Sequence, residues 1–135
     1  MRLRCLIVDD SPWFLCAARH LLERQDIAVV GLASNSAEAL RRAAELRPDV
    51  TLVDIDLGGE SGLDLARQLH LQTGHRTTVI LISTRAEQDY AELIAASPAV
   101  GFLSKTAISA SAIQELLDSN PGSSCDDSVT GPQET

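Results

Sequence analysis

Lysine is nearly absent from this chain: Lys105 is the only one, and the rest of its 11 cationic side chains are arginines. No stretch clusters them, and the formal net charge is −8. Contact with a nucleic-acid backbone needs a concentrated basic footprint, so direct nucleic-acid binding is not expected. Aromatic residues make up only 3% of the 135 positions while hydrophobic ones make up 44%, so the core must be built from Leu, Ile, Val and Ala. The three cysteines, Cys5, Cys16 and Cys125, match no zinc spacing, and an odd count is a poor disulfide framework. The expectation is two core thiols and one tail thiol in a reduced, cytoplasmic protein. No apolar run reaches membrane-spanning length, so no membrane partner is expected. The run from Leu3 to Val8 is too short for the apolar part of a secretion signal and ends in two acids, which argues against a leader.

Short apolar runs alternate with amphipathic ones. Strands are predicted over Leu3 to Val8, Ile27 to Ala33, Val50 to Asp54, Thr78 to Ser83 and Val100 to Ser104. The first helix starts at Ser11-Pro12, a capping hydroxyl followed by a proline whose missing N–H costs nothing there. Its stripe reads Phe14, Ala17, Ala18 and Leu21. The second, after Ser34-Asn35-Ser36, carries Ala37, Leu40 and Ala44 and stops at Pro48. The third spans Gly62 to Thr73 with Leu65, Ala66 and Leu69 on one face. A weaker fourth spans Glu87 to Ala96 around Ala91, Ile94 and Ala95. The last, Ser109 to Asp118, carries Ile113, Leu116 and Leu117. Five strands alternating with five helices predict an α/β fold: a parallel sheet flanked on both faces, in the flavodoxin-like order 2-1-3-4-5. Residues 1–118 form one domain. Residues 119–135 lack an apolar stripe and read as a disordered tail.

The strands end in chemistry. The first runs into Asp9-Asp10, the third into Asp54, the fourth into Ser83-Thr84 and the fifth into Ser104-Lys105. In a parallel sheet all these ends face one way and converge on one pocket. Taken singly, each is better read as helix-start acid, turn hydroxyl or solvated amine; together they suit phosphoryl transfer to a carboxylate. Asp54 is the nucleophile, a cluster of Asp9, Asp10 and Asp54 invites a hard divalent cation, and Lys105 and a hydroxyl neutralise phosphoryl oxygens.

The set resembles the receiver domain of two-component response regulators, in its single-domain form. The resemblance rests on Leu-Ile-Val-Asp9-Asp10-Ser-Pro, Leu-Val-Asp54-Ile-Asp-Leu with Gly62 beyond it, Val-Ile-Leu-Ile-Ser83, and Gly101-Phe102-Leu103-Ser104-Lys105. It implies a phosphoacceptor rather than an enzyme, with Asp54 phosphorylated by a histidine kinase or phosphotransfer protein. It implies Mg²⁺, or Mn²⁺ in its place, on Asp10, Asp54 and the backbone carbonyl of Asp56, with Asp9 acting mainly through water. Ser83 and Phe102 become a switch pair. The fourth helix, last strand and last helix become the surface that meets a downstream protein or a second copy. Four positions depart from the family pattern. Gly58 and Thr106 stand where proline is common, Thr84 where alanine is common, and Pro98 where proline is unusual. Gly58 is expected to loosen the loop after the nucleophile.

Two other readings compete. Asp54-Ile-Asp56 also resembles the opening motif of haloacid-dehalogenase-type phosphatases, with Asp54 as nucleophile and Asp56 as acid/base, although the acidic pair lies on the wrong side of the nucleophile. The chain also reads as a receiver fragment of a DNA-binding regulator. His20, His70 and His75 are scattered and expected to be solvated. Trp13, next to the acidic pair, is either an exposed helix-start aromatic or a docking anchor. Asp56 and Arg85, each two residues past a strand-end group, are candidates for an ion pair gating water access to a phosphorylated Asp54.

Overall fold

A computed structural model of the chain describes residues 2–73, 78–84 and 91–119. In order it runs β1 (Arg4–Val8), α1 (Pro12–Arg24), β2 (Ala28–Ala33), α2 (Ser36–Leu46) and β3 (Val50–Asp54). Then follow β4 (Asp56–Leu57), β5 (Glu60–Ser61), α3 (Gly62–Thr73), β6 (Thr78–Ser83), α4 (Ala91–Ala95), β7 (Gly101–Ser104) and α5 (Ala110–Ser119). The main sheet is parallel, in the order β2-β1-β3-β6-β7. With the small β4–β5 hairpin set aside, this is the expected 2-1-3-4-5. No helix among the described residues is long and apolar enough to cross a membrane. The expected tail beyond Ser119 lies outside the described residues, as do His75, Cys125 and the start of the fourth helix.

Because side chains alternate across a strand, the sheet separates two aliphatic layers. Leu6, Val8, Val53 and Leu81 face one layer with Ala39 and Ala43 of α2 and Leu65, Ala66 and Leu69 of α3. Cys5, Ile7, Leu52, Ile80 and Ile82 face the other with Leu15, Ala18 and Leu22 of α1 and Ile113 of α5. Burial pushes the Cys5 thiol pKa up to about 12, so it is an inert core group.

The helix starts are built by side chains. Ser11 accepts from the Phe14 N–H, Asn35 from the Glu38 N–H, and Ser109 from the Ala112 N–H. Glu38 reaches back to the Ser34 N–H, one residue before the cap of α2.

Several expectations need correction. The buried stripe of α1 is Leu15, Ala18 and Leu22, while Ala17 is exposed and Phe14 and Leu21 are half-buried. In α2 the buried residues are Ala39 and Ala43, with Ala37 and Ala44 exposed. Alanine is too small and too frequent here to mark a face; the leucines of α1 and the neighbouring helix decide it. In α4 only Ile94 is buried, and Ala91 and Ala95 face out. Cys16 is exposed on α1 rather than a core thiol. The loop after Asp54 is not loosened by Gly58: it is the tight turn of the β4–β5 hairpin. Gly58 and Gly59 both sit at positive φ, 58° and 103°, as a two-residue hairpin turn requires and as proline cannot do.

Candidate functional site

Asp54 ends β3, Ser83 ends β6, Asp9 follows β1 and Lys105 follows β7. The register aligns them: Val8 lies opposite Val53, Asp54 opposite Ile82, and Ser83 opposite Ser104. Asp9, Asp54 and Ser83 are buried polar groups at the C-terminal edge of an otherwise apolar sheet.

Asp54 is 5% exposed. Its Oδ1 accepts the Asp56 N–H at 3.2 Å and its Oδ2 accepts from Lys105 Nζ at 3.1 Å. Burial, aided by the charge of Asp9, pushes its pKa up to about 6; the Asp56 N–H and Lys105 pull the other way and only partly offset this. Asp9 is fully buried. Its Oδ1 accepts the Ser11 N–H at 2.8 Å, and its Oδ2 pairs with Lys105 Nζ at 2.5 Å. That second oxygen is buried against the ammonium, where little water screens the pair. Burial of Lys105 lowers its pKa, but Asp9 and Asp54 outweigh this and hold it above its ordinary value. The ammonium also lies over the Phe14 ring, 4.7 Å from its centroid.

Asp10 is exposed beside Asp9. One carboxylate oxygen each from Asp9, Asp10 and Asp54 fall within 4.8 Å of one another. Three acidic groups so close repel, and a hard divalent cation that takes carboxylate oxygens relieves that repulsion. Lys105 is one ammonium set against three carboxylates, so the residues present fit such an ion.

A pocket of ≈ 250 Å³ opens over the site, lined by Asp10, Asp54, Asp56, Gly58, Ser83, Thr84 and Lys105. Asp56 is exposed at its mouth and meets Asp54 through its backbone N–H. Arg85, the expected partner of Asp56, lies outside the described residues. Phe102 is half-buried against the α2–α3 layer and pairs in register with Leu81, two residues before Ser83. After β7 the chain makes a 3-10 turn over Lys105–Ala107 in which Ser104 Oγ accepts the Thr106 N–H at 3.3 Å. His20 and His70 are exposed, and Trp13 is 80% exposed at the start of α1.

The sequence reading missed two neighbours of the site. Phe14 was assigned to the core stripe alone, yet it stands one turn past Asp10, near enough for its ring to reach Lys105. Gly58 was taken as a loosening element, yet a Cβ there would stand 2.6 Å from Asp10 Oδ2. Spacing along α1 places Phe14 one turn past Asp10 but does not reveal Lys105 beside it. Only the hairpin geometry reveals the second.

The family model of the response regulator receiver domain matches residues 5–118. The chain is 36% identical over 104 residues to the transcriptional regulatory protein YvfU of Bacillus subtilis, covering 76% of this chain and 52% of that protein. It is similar to the solved signal receiver domain of NarL from Mycobacterium tuberculosis. That match has a TM-score of 0.74 and 29% identity, and covers 87% of this chain and 94% of that one. A response regulator protein from Burkholderia pseudomallei, solved with a phosphorylated aspartic acid and a calcium ion, gives a TM-score of 0.74 at 28% identity. It covers 84% of this chain and 66% of that one. The chain spans about half the length of the curated relatives it matches.

Proposed function

Because the chain belongs to the family of response regulator receiver domains, we propose that Asp54 accepts a phosphoryl group from a histidine kinase or a phosphotransfer protein. The observation that carries this reading is the meeting of Asp54 with Lys105 at 3.1 Å and with the acidic cluster of Asp9 and Asp10. An Asp54 carboxylate oxygen forms the bond to phosphorus as the donor's bond to phosphorus breaks, and the donor leaves with the electron pair. Lys105 faces the charge that gathers on the phosphoryl oxygens, and Ser83 offers a hydroxyl from the adjoining strand end. Asp10, Asp54 and the Asp56 carbonyl would hold Mg²⁺ or Mn²⁺, with Asp9 behind them. The ion supplies charge neutralisation between the two reacting anions. The phosphorylated aspartic acid and calcium ion of the Burkholderia pseudomallei relative favour the same assignment here.

In this reading Ser83 moves toward the phosphoryl group and Phe102 turns into the vacated space. The surface of α4, β7 and α5 then changes for a downstream protein or a second copy. The activity is a signalling one carried out in the cytoplasm, not turnover of a substrate. Relatives named as transcriptional regulators favour transcription as the output of the signal.

Intact mass after incubation with acetyl phosphate and Mg²⁺ should rise by one phosphoryl group. Chelation or Asp54→Ala should abolish the gain, and uptake by Asp54→Ala at a comparable rate would overturn the assignment. Ser83→Ala should still take up the group, yet its amide spectrum around α4 should respond less to beryllofluoride than that of the parent.

A further inference from the structure

Lys105 is held from three sides, and only two of them are carboxylates. Its Nζ lies 3.1 Å from Asp54 Oδ2, 2.5 Å from Asp9 Oδ2, and 4.7 Å from the centroid of the Phe14 ring. The Lys105 side chain is 14% exposed, so little water screens these contacts. An ammonium carries three protons, and the face of an aromatic ring attracts the charge without fixing the direction of any of them.

We propose that Phe14 is a positioning residue for phosphoryl transfer, its ring seating the Lys105 ammonium above Asp54. The ring and the ammonium are placed by the same carboxylate. Asp9 Oδ2 pairs with Lys105, while Asp9 Oδ1 accepts the N–H of Ser11, the cap of α1, and Ser11 Oγ accepts the N–H of Phe14. The start of α1 is thereby tied to the site it overhangs. When phosphorus bonds to an Asp54 oxygen, a Lys105 N–H swings from Asp54 Oδ2 to a phosphoryl oxygen, and the lysine gives up no proton. A hydroxyl or carboxylate in place of the ring would hold a proton of the ammonium and resist that swing. The ring keeps its hold through the movement.

This rests on the phosphoacceptor reading, and one property of the chain separates the two. Lys105 is the only lysine, so lysine-selective isotope labelling yields a single side-chain signal. In the parent, ring-current shielding should displace that signal upfield. Phe14→Leu should return it toward the free-lysine position and slow phosphorylation by acetyl phosphate at saturating Mg²⁺ by about tenfold, the scale of a desolvated cation–ring contact. Phe14→Tyr, which keeps the ring, should restore both. Phe14→Met, of similar bulk, serves as the ring-free variant if Phe14→Leu does not fold. A ring-free variant that matches the parent in rate, or a Tyr variant as slow as it, overturns the inference. A parent that takes up no phosphoryl group overturns the phosphoacceptor reading and this role with it. An unshifted parent lysine signal in a protein that does phosphorylate overturns the Phe14 role alone.

Discussion

The two sides of the sheet are built to different standards. In the centre, β1 is buried from Cys5 to Val8 and β3 from Val50 to Asp54, and these strands carry Asp9 and Asp54. At the edge, every residue of β7 is half-buried, and of the five described residues of α4 only Ile94 is buried, with Leu93 54% exposed. A carboxylate and an amine proposed to meet incoming phosphorus need a frame that does not yield. The surface proposed to report the event needs neighbours that shift at small expense, and partly wet elements shift most readily. Lys105 belongs to the edge by sequence and to the centre by its contacts, so it is the link between them.

The sharpest test of that contrast is the same substitution made on each side. At Gly62 an added Cβ would lie 1.9 Å from the carbonyl oxygen of Asp54 and 2.8 Å from Ile55 Cα, all backbone. At Gly101 in β7 it would meet the Leu116 side chain, nearest at 2.6 Å. Backbone in a packed centre cannot step aside, whereas a leucine tip at a half-buried edge can rotate. Urea denaturation should therefore show Gly62→Ala destabilised by about 3 kcal/mol or more and Gly101→Ala by about 1 kcal/mol. Equal losses, or the reverse order, would break the comparison.

A smaller effect should come from the charge stored in the centre. The Asp54 pKa rises from its ordinary value of 3.8 to about 6 in the fold. Between those values the folded state holds a proton that the unfolded state has released, so stability falls as pH rises through this window. In the metal-free protein, Asp54→Asn should lack this slope and at pH 7 should equal or exceed the parent, by about 1 kcal/mol. Mg²⁺ added to the parent should recover part of the loss. A parent whose stability climbs between pH 4 and pH 6, beside a flat Asn variant, would show that Lys105 outweighs burial.

Much of this centre was legible in the sequence. Unbroken aliphatic strands ending in Asp9, Asp54, Ser83 and Lys105 can only converge if the sheet is parallel, and the register bears that out. The order of strands was legible for the same reason, and so was the cap at Ser11. The helix faces were less so: α2 carries alanines at 37, 39, 43 and 44, and volume alone cannot say which of them face the sheet. Cys16 and Leu22 show the same limit on α1, where a rotation of one residue exchanges a thiol for solvent and a leucine for the core. The Phe14 ring near Lys105 was hidden because it joins residues far apart in the chain through two side-chain directions. The hairpin at Gly58-Gly59 was hidden because glycine announces freedom without saying how it is used.

That hairpin supplies the finest test of the rigid side. Both glycines have positive φ, so alanine at either strains the backbone by about 1 kcal/mol. They differ in what surrounds them. A Cβ at Gly59 meets nothing within 4 Å, while one at Gly58 meets Asp10 Oδ2 at 2.6 Å. The clash at Gly58 is with the end of an exposed side chain, so it is relieved by swinging the carboxylate away from Asp9 and Asp54. That movement costs little in folding, but it takes one acidic group out of the cluster proposed to hold the ion. The two variants should therefore be similarly stable, yet Gly58→Ala should bind Mg²⁺ about tenfold more weakly than Gly59→Ala, a difference near 1.4 kcal/mol. Calorimetric titration, or the fluorescence of the lone Trp13, measures it. Equal weakening would assign the effect to backbone strain. No weakening in either would mean that Asp10 holds the ion from more than one position, and that the frame is looser at the metal than at the nucleophile.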